Sequence, residues 1–187
     1  NATFIIKEPK SKTHVSWHQD LTYWGFDKNE KQVSSWIALS NVNDLSGCMK
    51  MIPASHKKGF FDHKSTNDSN NVLSRGQTVL NVEEDKAISC PLLPGEASFH
   101  HGLTLHASQP NNSNDRRIGL NLQFISTDMQ QLKSDNDSAI LVRGKDNYNN
   151  FKIDVVAKND FDDDGHERLL ERNEHYNKTI RENNLDK

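Results

Sequence analysis

The stretch GEASFHHGLTLHASQPNNSNDRRIGLNLQF, residues 95–124, carries most of the information about the fold. It reads as two strands on either side of a loop at Pro110–Asp115, because Pro, Asn, Ser and Asp favour turns. Pairing the strands across this loop places the region of His106 opposite the region of Arg117. Side chains alternate between the two faces of a strand, so we expect His106 and Ser108 to share one face.

The second of these strands alternates between two kinds of side chain. One face is uniformly apolar, which is typical of core packing, and the other is polar with one small residue, which is typical of a lined cavity. The apolar face is formed by Ile118, Leu120, Leu122 and Phe124. The polar face is formed by Arg117, Gly119, Asn121 and Gln123.

Working outward, residues 1–125 read as short strands separated by turns, which favours an antiparallel sandwich or barrel. Residues 129–150 are polar and predict a loop with a short extended piece at Ala139–Val142. The predicted strands are Thr3–Ile6, Val15–His18, Val33–Ser40, Cys48–Ile52, Thr78–Val82, Ala87–Leu92, Ala97–His101, Leu103–Ser108 and Arg117–Ile125.

The C-terminal part has a different pattern. Three aspartates at residues 162–164 favour a helix start, and Glu167–Glu182 has few helix breakers. Leu169, Tyr176 and Ile180 form a narrow apolar stripe that could pack on the domain or on a second chain. We therefore expect one domain over residues 1–160 and a helical tail over residues 161–187.

The composition narrows the class of protein. Of the 187 residues, 33% are hydrophobic and 26% are charged, so we expect a modest core with long polar loops. The net charge of −3 does not favour a nucleic-acid partner. The sequence contains neither an apolar run of membrane-spanning length nor a signal-peptide pattern. Cys48 and Cys90 are too few for a disulfide framework, which favours a reduced, cytoplasmic location.

His18 and Asp20 form the strongest local motif. In an extended segment, residues i and i+2 point to the same side, so both side chains can reach one metal ion. A His-x-Asp pair alone is common by chance. With a distant second histidine it becomes the two-histidine, one-carboxylate set that leaves coordination positions open on iron(II).

The order and spacing of several motifs resemble one family. His18-x-Asp20 is followed by His106 and, eleven positions later, by Arg117. The segment GCMKMIPASHKKG (47–59) resembles the family's Gly-x-Leu-x-x-x-Pro-Gly-Ser-His segment, except that Ala54 stands where the family has Gly. HASQPN (106–111) fits its His-x-Ser-x-x-Asn pattern. Over about Val15–Ile125, the chain resembles the phytanoyl-CoA dioxygenase family of iron(II)/2-oxoglutarate oxygenases.

This resemblance implies a mainly β fold, the double-stranded β-helix or cupin-like jelly roll, followed by the C-terminal helix. It implies a dioxygenase that uses iron(II), 2-oxoglutarate and dioxygen to hydroxylate a small-molecule or acyl-type substrate. The residues it assigns to iron are His18, Asp20 and His106. The residues it assigns to 2-oxoglutarate are Arg117 and Ser108, which would bind the distal carboxylate, and Trp36, which would lie beside the cosubstrate.

Two alternatives stay open from the sequence. One is a non-catalytic sensor domain that binds metal and 2-oxoglutarate, and the other is a cupin-type enzyme that uses a different divalent metal and no 2-oxo acid. Because the first metal ligand already falls at residue 18, we also expect the chain to lack an N-terminal segment that relatives carry. The oligomeric state is open as well.

Several other side chains admit two interpretations. Tyr23 and Trp24 could line a substrate pocket or pack in the core. The remaining histidines near the motifs are interpreted as structural or supporting groups, because the metal-binding set is already complete. They are His14, His56, His100 and His101.

Overall fold

The computed structural model describes residues 2–27, 31–66, 68–73 and 76–185, with side chains described up to residue 179. It divides into two compact units. The first comprises Asn1–Tyr23 and Asn29–Ile125, and the second comprises Trp24–Lys28 and Ser126–Lys187. The predicted boundary between residues 160 and 161 stays a prediction. Within the described ranges, none of the helices has the length and apolar character that crossing a bilayer requires.

The first unit consists of short strands, as the sequence predicts. The strands are β1 (Ala2–Lys7), β2 (Val15–His18), β3 (Gln32–Ala38), β4 (Met49–Met51), β5 (His63–Ser65), β6 (Gln77–Val79), β7 (Ile88–Cys90), β8 (Ala97–His101), β9 (His106–Ser108) and β10 (Arg117–Ile125). They form a first sheet in the order β1-β10-β3-β8, a second sheet in the order β2-β9-β4-β7, and the pair β5-β6. The expected pairing of the two strands on either side of Pro110–Asp115 is wrong, because β9 pairs with β2 and β4 in the second sheet, whereas β10 pairs with β1 and β3 in the first. The pairings between these ten strands are antiparallel, which confirms the mainly β class.

Strand β5 and three short helical turns are not predicted from the sequence; the turns are α1 (Leu21–Trp24), Ser55–Lys58 and Glu84–Lys86. Strand β5 lies outside the predicted strands, and α1 directly follows Asp20. The amides of Thr22 and Tyr23 donate hydrogen bonds to the carbonyl oxygens of Gln19 and Asp20. This turn ends β2 and places Asp20 at the edge of the second sheet.

The two sheets face each other, and the inner face of each carries both polar and apolar side chains. Trp36 and Ala38 of the first sheet pack with Val42, Cys48 and Met49. On the far side of the second sheet lies another apolar cluster, which includes Trp17, Ile52, Val79, Leu105 and Ala107. Leu105 and Ala107 thus lie opposite to His106 and Ser108, as alternation predicts.

The outer face of the first sheet corrects one interpretation. We expected the apolar residues of β10 to pack in the core, but Phe124 is exposed and Ile118, Leu120 and Leu122 are only half-buried. Alternation sorts side chains between the two faces of a strand, but it does not determine which face another layer covers. On the polar face, Arg117 and Gly119 are buried, and Asn121 and Gln123 are half-buried.

Ala54 has a strained backbone at the start of a 3₁₀ helix, Ser55–Lys58. Its φ of 57° and ψ of 10° lie in the left-handed region, which costs an L-residue about 1–2 kcal/mol. This is the position where the family motif has Gly, and Gly adopts the same conformation without that cost.

The second unit contains a two-stranded parallel pair, β11 (Ser138–Ala139) with β12 (Lys152–Ile153), and the helix α2 (Asp163–Leu185). The helix begins at Asp163, among the aspartates that the sequence predicts at its start, and Asp163 and Asp164 occupy its first turn. Carboxylates at this end interact favourably with the helix dipole.

Polar residues anchor α2 within its unit. Arg168 lies 3.7 Å from carboxylate oxygens of both Asp154 and Asp162, and His175 Nε2 lies 2.6 Å from Ser134 Oγ. The predicted apolar stripe stays exposed at Leu169, 56%, and Tyr176, 58%. The side chain of Ile180 lies outside the described residues.

Candidate metal and anion site

The candidate metal site lies where β2 and β9 meet. His18 is the last residue of β2 and pairs in register with His106, the first residue of β9. Asp20 follows two residues after His18. The ligand atoms of all three side chains lie within 4.8 Å of one another, and all three residues are buried. The structure therefore brings together the three residues that the sequence assigns to a metal ion.

The two histidines are oriented in the same way. His18 Nδ1 lies 2.9 Å from the carbonyl oxygen of Ser16, and His106 Nδ1 lies 2.9 Å from that of Thr104. A carbonyl oxygen only accepts, so each Nδ1 donates, and in a neutral imidazole this leaves the lone pair on Nε2. His18 Nε2 and His106 Nε2 lie 3.4 Å and 3.7 Å from Asp20 Oδ1. Two imidazole lone pairs and one carboxylate oxygen thus converge.

The protonation states suit metal binding. Burial, with the neighbouring His18, lowers the pKa of His106 to about 3, so this imidazole is neutral. Burial opposes ionisation of Asp20, but interactions with His106, His100 and His18 outweigh it and hold the pKa of this carboxyl well below its usual range. Metal ligands must be deprotonated. Two neutral imidazoles and one carboxylate fit a divalent ion such as iron(II).

The other oxygen of Asp20 has its own partners. Ser34 Oγ donates a hydrogen bond of 2.9 Å to Asp20 Oδ2, and Gln32 Nε2 donates one of 3.0 Å to Ser34 Oγ. His100 Nε2 lies 3.5 Å from the same Oδ2. Asp20 Oδ1 therefore faces the two histidines of the metal set, while Oδ2 faces the first sheet.

A pair of buried cations lies at the start of β10. Arg117 is 1% exposed, its Nη1 donates a hydrogen bond of 2.5 Å to the carbonyl of Gly47, and its guanidinium carbon lies 5.0 Å from the Trp36 ring centroid. Lys7, also 1% exposed, pairs with Arg117 in the register of β1 and β10. Among the described residues, no carboxylate forms an ion pair with either cation.

Burial changes the acidity of both cations. It lowers the pKa of Arg117 to about 10, which leaves the guanidinium charged at neutral pH. Burial together with the nearby Arg117 lowers the pKa of Lys7 to about 7. Two buried cations that lack a carboxylate partner are costly, and a bound anion would offset that cost.

Lys7 also determines that the Ser108 hydroxyl acts as a hydrogen-bond acceptor toward its ammonium group. Its ammonium group donates hydrogen bonds to the carbonyl of Ser108 at 3.0 Å, to Ser108 Oγ at 2.7 Å and to the carbonyl of Gln109. An ammonium has no lone pair, so Ser108 Oγ accepts in this contact. The hydroxyl proton of Ser108 stays available for an acceptor on a ligand.

Gly119 allows the indole of Trp36 to lie against the sheet. A Cβ added at Gly119 would lie 1.9 Å from Cζ2 of Trp36, so a side chain larger than hydrogen would displace the ring. The single small residue on the polar face of β10 therefore has a packing role. It makes room for the aromatic ring that lies beside Arg117.

The remaining predicted residues have varied surroundings. His56 and His101 contact each other with ring centroids 5.5 Å apart, and His14 lies 3.6 Å from an Asp68 carboxylate oxygen. Tyr23 makes an edge contact with His18, with ring centroids 6.2 Å apart. Trp24 belongs to the second unit and contacts Phe26 there.

Burial raises the pKa of the thiols of Cys48 and Cys90, which does not favour a reactive thiolate at either position.

Lys7 and Ser34 are not predicted as site residues from the sequence. Lys7 directly follows the predicted strand Thr3–Ile6, and Ser34 lies within the predicted strand Val33–Ser40. Either residue becomes informative only once the strand register is known, because Lys7 pairs with Arg117 and Ser34 pairs with His100.

Comparison with known proteins establishes the family. The family profile described as phytanoyl-CoA dioxygenase (PhyH) matches residues 1–119. The chain belongs to this family. A probable alpha-ketoglutarate-dependent hypophosphite dioxygenase of Stutzerimonas stutzeri is 32% identical over 125 residues, which cover 65% of this PhyH-family chain and 43% of that protein. The chain spans less than half the length of the curated relatives that it matches first.

Solved structures confirm the fold class of this family member. The non-heme monooxygenase ThoJ in its apo form is 26% identical, with a TM-score of 0.86, and the match covers 100% of this chain and 67% of that chain. EvdO2 from Micromonospora carbonacea var. aurantiaca, complexed with 2-oxoglutarate, is 27% identical, with a TM-score of 0.59. The match covers 71% of this chain and 55% of that chain. The predicted double-stranded β-helix with a C-terminal helix is confirmed.

Proposed function

We propose that this chain is an iron(II)- and 2-oxoglutarate-dependent dioxygenase that hydroxylates a small organic substrate. The observation that carries the proposal is a buried His18/Asp20/His106 set combined with the buried cations Lys7 and Arg117, which lack a carboxylate partner within the described residues. The first set suits a divalent metal, and the second suits an anion. A 2-oxo diacid needs both.

The spacing of the two parts supports a short diacid. Ser108, which contacts Lys7, lies two residues beyond His106 on the same face of β9. Two residues of a strand span about 6–7 Å, which is comparable to the length of a five-carbon chain between its two carboxylates. The 2-oxo acid end would therefore meet the metal set while the distal carboxylate reaches the cations.

His18, Asp20 and His106 would hold the metal through their Nε2 and Oδ1 atoms. When bound there, iron(II) supplies the redox chemistry by which dioxygen converts 2-oxoglutarate to succinate and carbon dioxide and places one oxygen atom in a C–H bond of the substrate. Burial favours a neutral His106 imidazole, and the contacts of Asp20 with the surrounding histidines favour its ionised carboxylate.

Four residues would bind and orient the cosubstrate. Arg117 would bind the distal carboxylate with its planar guanidinium, whose Nε forms no hydrogen bond within the described part of the chain. The Ser108 hydroxyl would donate its remaining proton to the same carboxylate, held in that orientation by Lys7. Trp36 would lie beside the bound chain and exclude water from it.

The test is anaerobic addition of iron(II) and then 2-oxoglutarate to the purified chain. We expect a weak visible charge-transfer band in the wild type, its loss in Asp20→Ala and its weakening in Arg117→Ala. Asp68→Ala is the matched control, because Asp68 is an exposed aspartate whose carboxylate lies next to His14.

Exposure to air then separates the alternatives. Succinate formation supports the dioxygenase. A band without succinate, even across a substrate screen, would favour the non-catalytic sensor. Iron binding without any band would contradict the proposed function and leave the cupin-type metalloenzyme.

A further inference from the structure

We infer that His100, together with Ser34, positions Asp20 so that the carboxylate binds the metal through one oxygen only. This inference rests on the proposed function, because it concerns how many coordination positions the metal keeps open. His100 would be a positioning residue, acting through Asp20. The sequence motif of the family assigns no task to this residue, and the interpretation from the sequence is a structural or supporting group.

His100 is buried without hydrogen bonds to its ring nitrogens, so a role in packing alone would cost free energy. His100 is 6% exposed, and neither ring nitrogen forms a hydrogen bond within the described residues. Leaving a buried polar atom without a partner costs about 1–3 kcal/mol. The carboxylate oxygen Asp20 Oδ2, 3.5 Å from His100 Nε2, is close enough to become a hydrogen-bond acceptor after a small movement.

The sheet register explains why two donors meet at one oxygen. Ser34 of β3 and His100 of β8 are direct partners across the antiparallel pair, so their side chains lie on the same face. Gln32, two residues before Ser34, shares that face and donates to Ser34 Oγ at 3.0 Å. Because Ser34 Oγ accepts this bond, its own proton is directed to Asp20 Oδ2, where the distance is 2.9 Å.

A carboxylate oxygen accepts about two hydrogen bonds in its plane. Ser34 occupies one of these positions on Asp20 Oδ2, and His100 Nε2–H would occupy the other. With both occupied, Oδ2 has no lone pair left for the metal. Oδ1, which lies 3.4 Å and 3.7 Å from the Nε2 atoms of His18 and His106, remains as the metal-binding oxygen.

The number of open positions follows from this arrangement. Three single-atom ligands leave three positions on a six-coordinate ion, whereas a carboxylate that binds through both oxygens leaves two. A chelating 2-oxo acid fills two positions. A third position for a small gas molecule therefore exists only when Asp20 binds through one oxygen.

The experiment measures that third position directly. Nitric oxide is added anaerobically to the iron(II)–2-oxoglutarate complex, and its dissociation constant is followed by the high-spin nitrosyl EPR signal. We expect about a 10-fold or larger increase in His100→Phe and in Ser34→Ala, the size typical of losing a group that orients a metal ligand. His100→Gln keeps an N–H donor and is expected to restore affinity to within about three-fold of wild type.

Control measurements separate positioning from folding. His14→Phe removes a partly exposed histidine outside the site and is expected to behave as wild type. Thermal unfolding of each variant checks that the fold is retained. If His100→Phe binds nitric oxide like wild type, or if His100→Gln is as impaired as His100→Phe, the inference is overturned.

A second measurement keeps this inference distinct from the proposed function. Cobalt(II) alone reports the coordination number through the intensity of its visible bands, with no cosubstrate present. We expect weaker absorption per cobalt in His100→Phe than in wild type, because a second carboxylate oxygen would raise the coordination number. A wild type that forms no charge-transfer band with iron and 2-oxoglutarate would contradict the proposed function, whereas equal cobalt spectra would contradict only the role of His100.

Discussion

The two faces of the first sheet reverse the usual distribution of polarity. The inner face carries Arg117 and Lys7, each 1% exposed, and His100, 6% exposed. The outer face carries Phe4, 63% exposed, and Phe99, 69% exposed. His100 and Phe99 are adjacent in sequence and differ about tenfold in exposure.

The two faces of the same strands therefore indicate two different kinds of surface. Buried polar groups without complete hydrogen bonding cost free energy, so they indicate a place where a metal ion or an anion completes the arrangement. Exposed apolar residues on a continuous face are typical of contact surfaces. The inner face therefore carries the proposed site, and the outer face carries exposed apolar surface.

The largest effect is expected for Arg117→Met. It removes a buried charge from the inner face while keeping much of the side-chain volume, and we expect the dissociation constant for 2-oxoglutarate to rise about 10- to 100-fold. Isothermal titration calorimetry on the metal-loaded protein measures this change. Arg116→Met is the matched control, because the neighbouring Arg116 side chain is 61% exposed and pairs with Glu8. Equal losses in the two variants would contradict the assignment of Arg117.

Gly119→Ala tests the packing of the inner face. The new Cβ would overlap the Trp36 ring, and overpacking of this kind costs about 1–3 kcal/mol of the free energy of unfolding. Urea denaturation measures the loss. The double variant Gly119→Ala/Trp36→Leu relieves the overlap and should lose less than the sum of the two single variants. Additive losses would show that the two side chains do not interact.

The charge on Lys7 predicts a pH dependence of cosubstrate binding. The pKa of Lys7 is lowered to about 7 in the free protein, and a bound anion would raise this pKa. Above pH 7, Lys7 must therefore take up a proton when the anion binds. Affinity for 2-oxoglutarate should therefore fall as pH rises above 7, by at most about tenfold per pH unit for one linked proton.

Titration calorimetry between pH 6 and 9 measures this dependence. Lys7→Met should flatten the profile, whereas Lys10→Met should not, because Lys10 is exposed and contacts only the carbonyl of Asn112 among the bonds described for it. An unchanged profile in Lys7→Met would assign the dependence to another group.

The smallest effect is expected on the outer face. Phe99→Thr should change the free energy of unfolding by less than about 0.5 kcal/mol, because the phenyl ring is largely exposed. Binding of a hydrophobic dye such as ANS should decrease, and metal affinity should not change. A loss of stability of the size seen for core residues would show that the outer face is covered by protein in solution.

Much of the site could be predicted from the sequence because its residues carry recognisable chemistry at fixed spacing. His18 and Asp20 lie on the same side of an extended segment because side chains alternate along a strand. The segment HASQPN (106–111) and Arg117 follow the spacing of the family motifs. Their convergence with His106 needs a strand pairing, which the motif order implies only through the resemblance. Lys7 could not be predicted in this way, since its neighbours in sequence are apolar and its partner Arg117 lies on a distant strand.

The sequence by itself determined the alternation within the strands and the turn positions, because these depend on local spacing, and its resemblance to the family predicts His18, Asp20 and His106 as metal ligands. Only the tertiary structure decided which face of β10 is buried, that Lys7 joins Arg117, and that Ser34 and His100 meet at one oxygen of Asp20. Each of these depends on strand register and on the layer opposite. Both are set by contacts between residues far apart in the chain, which local spacing does not encode.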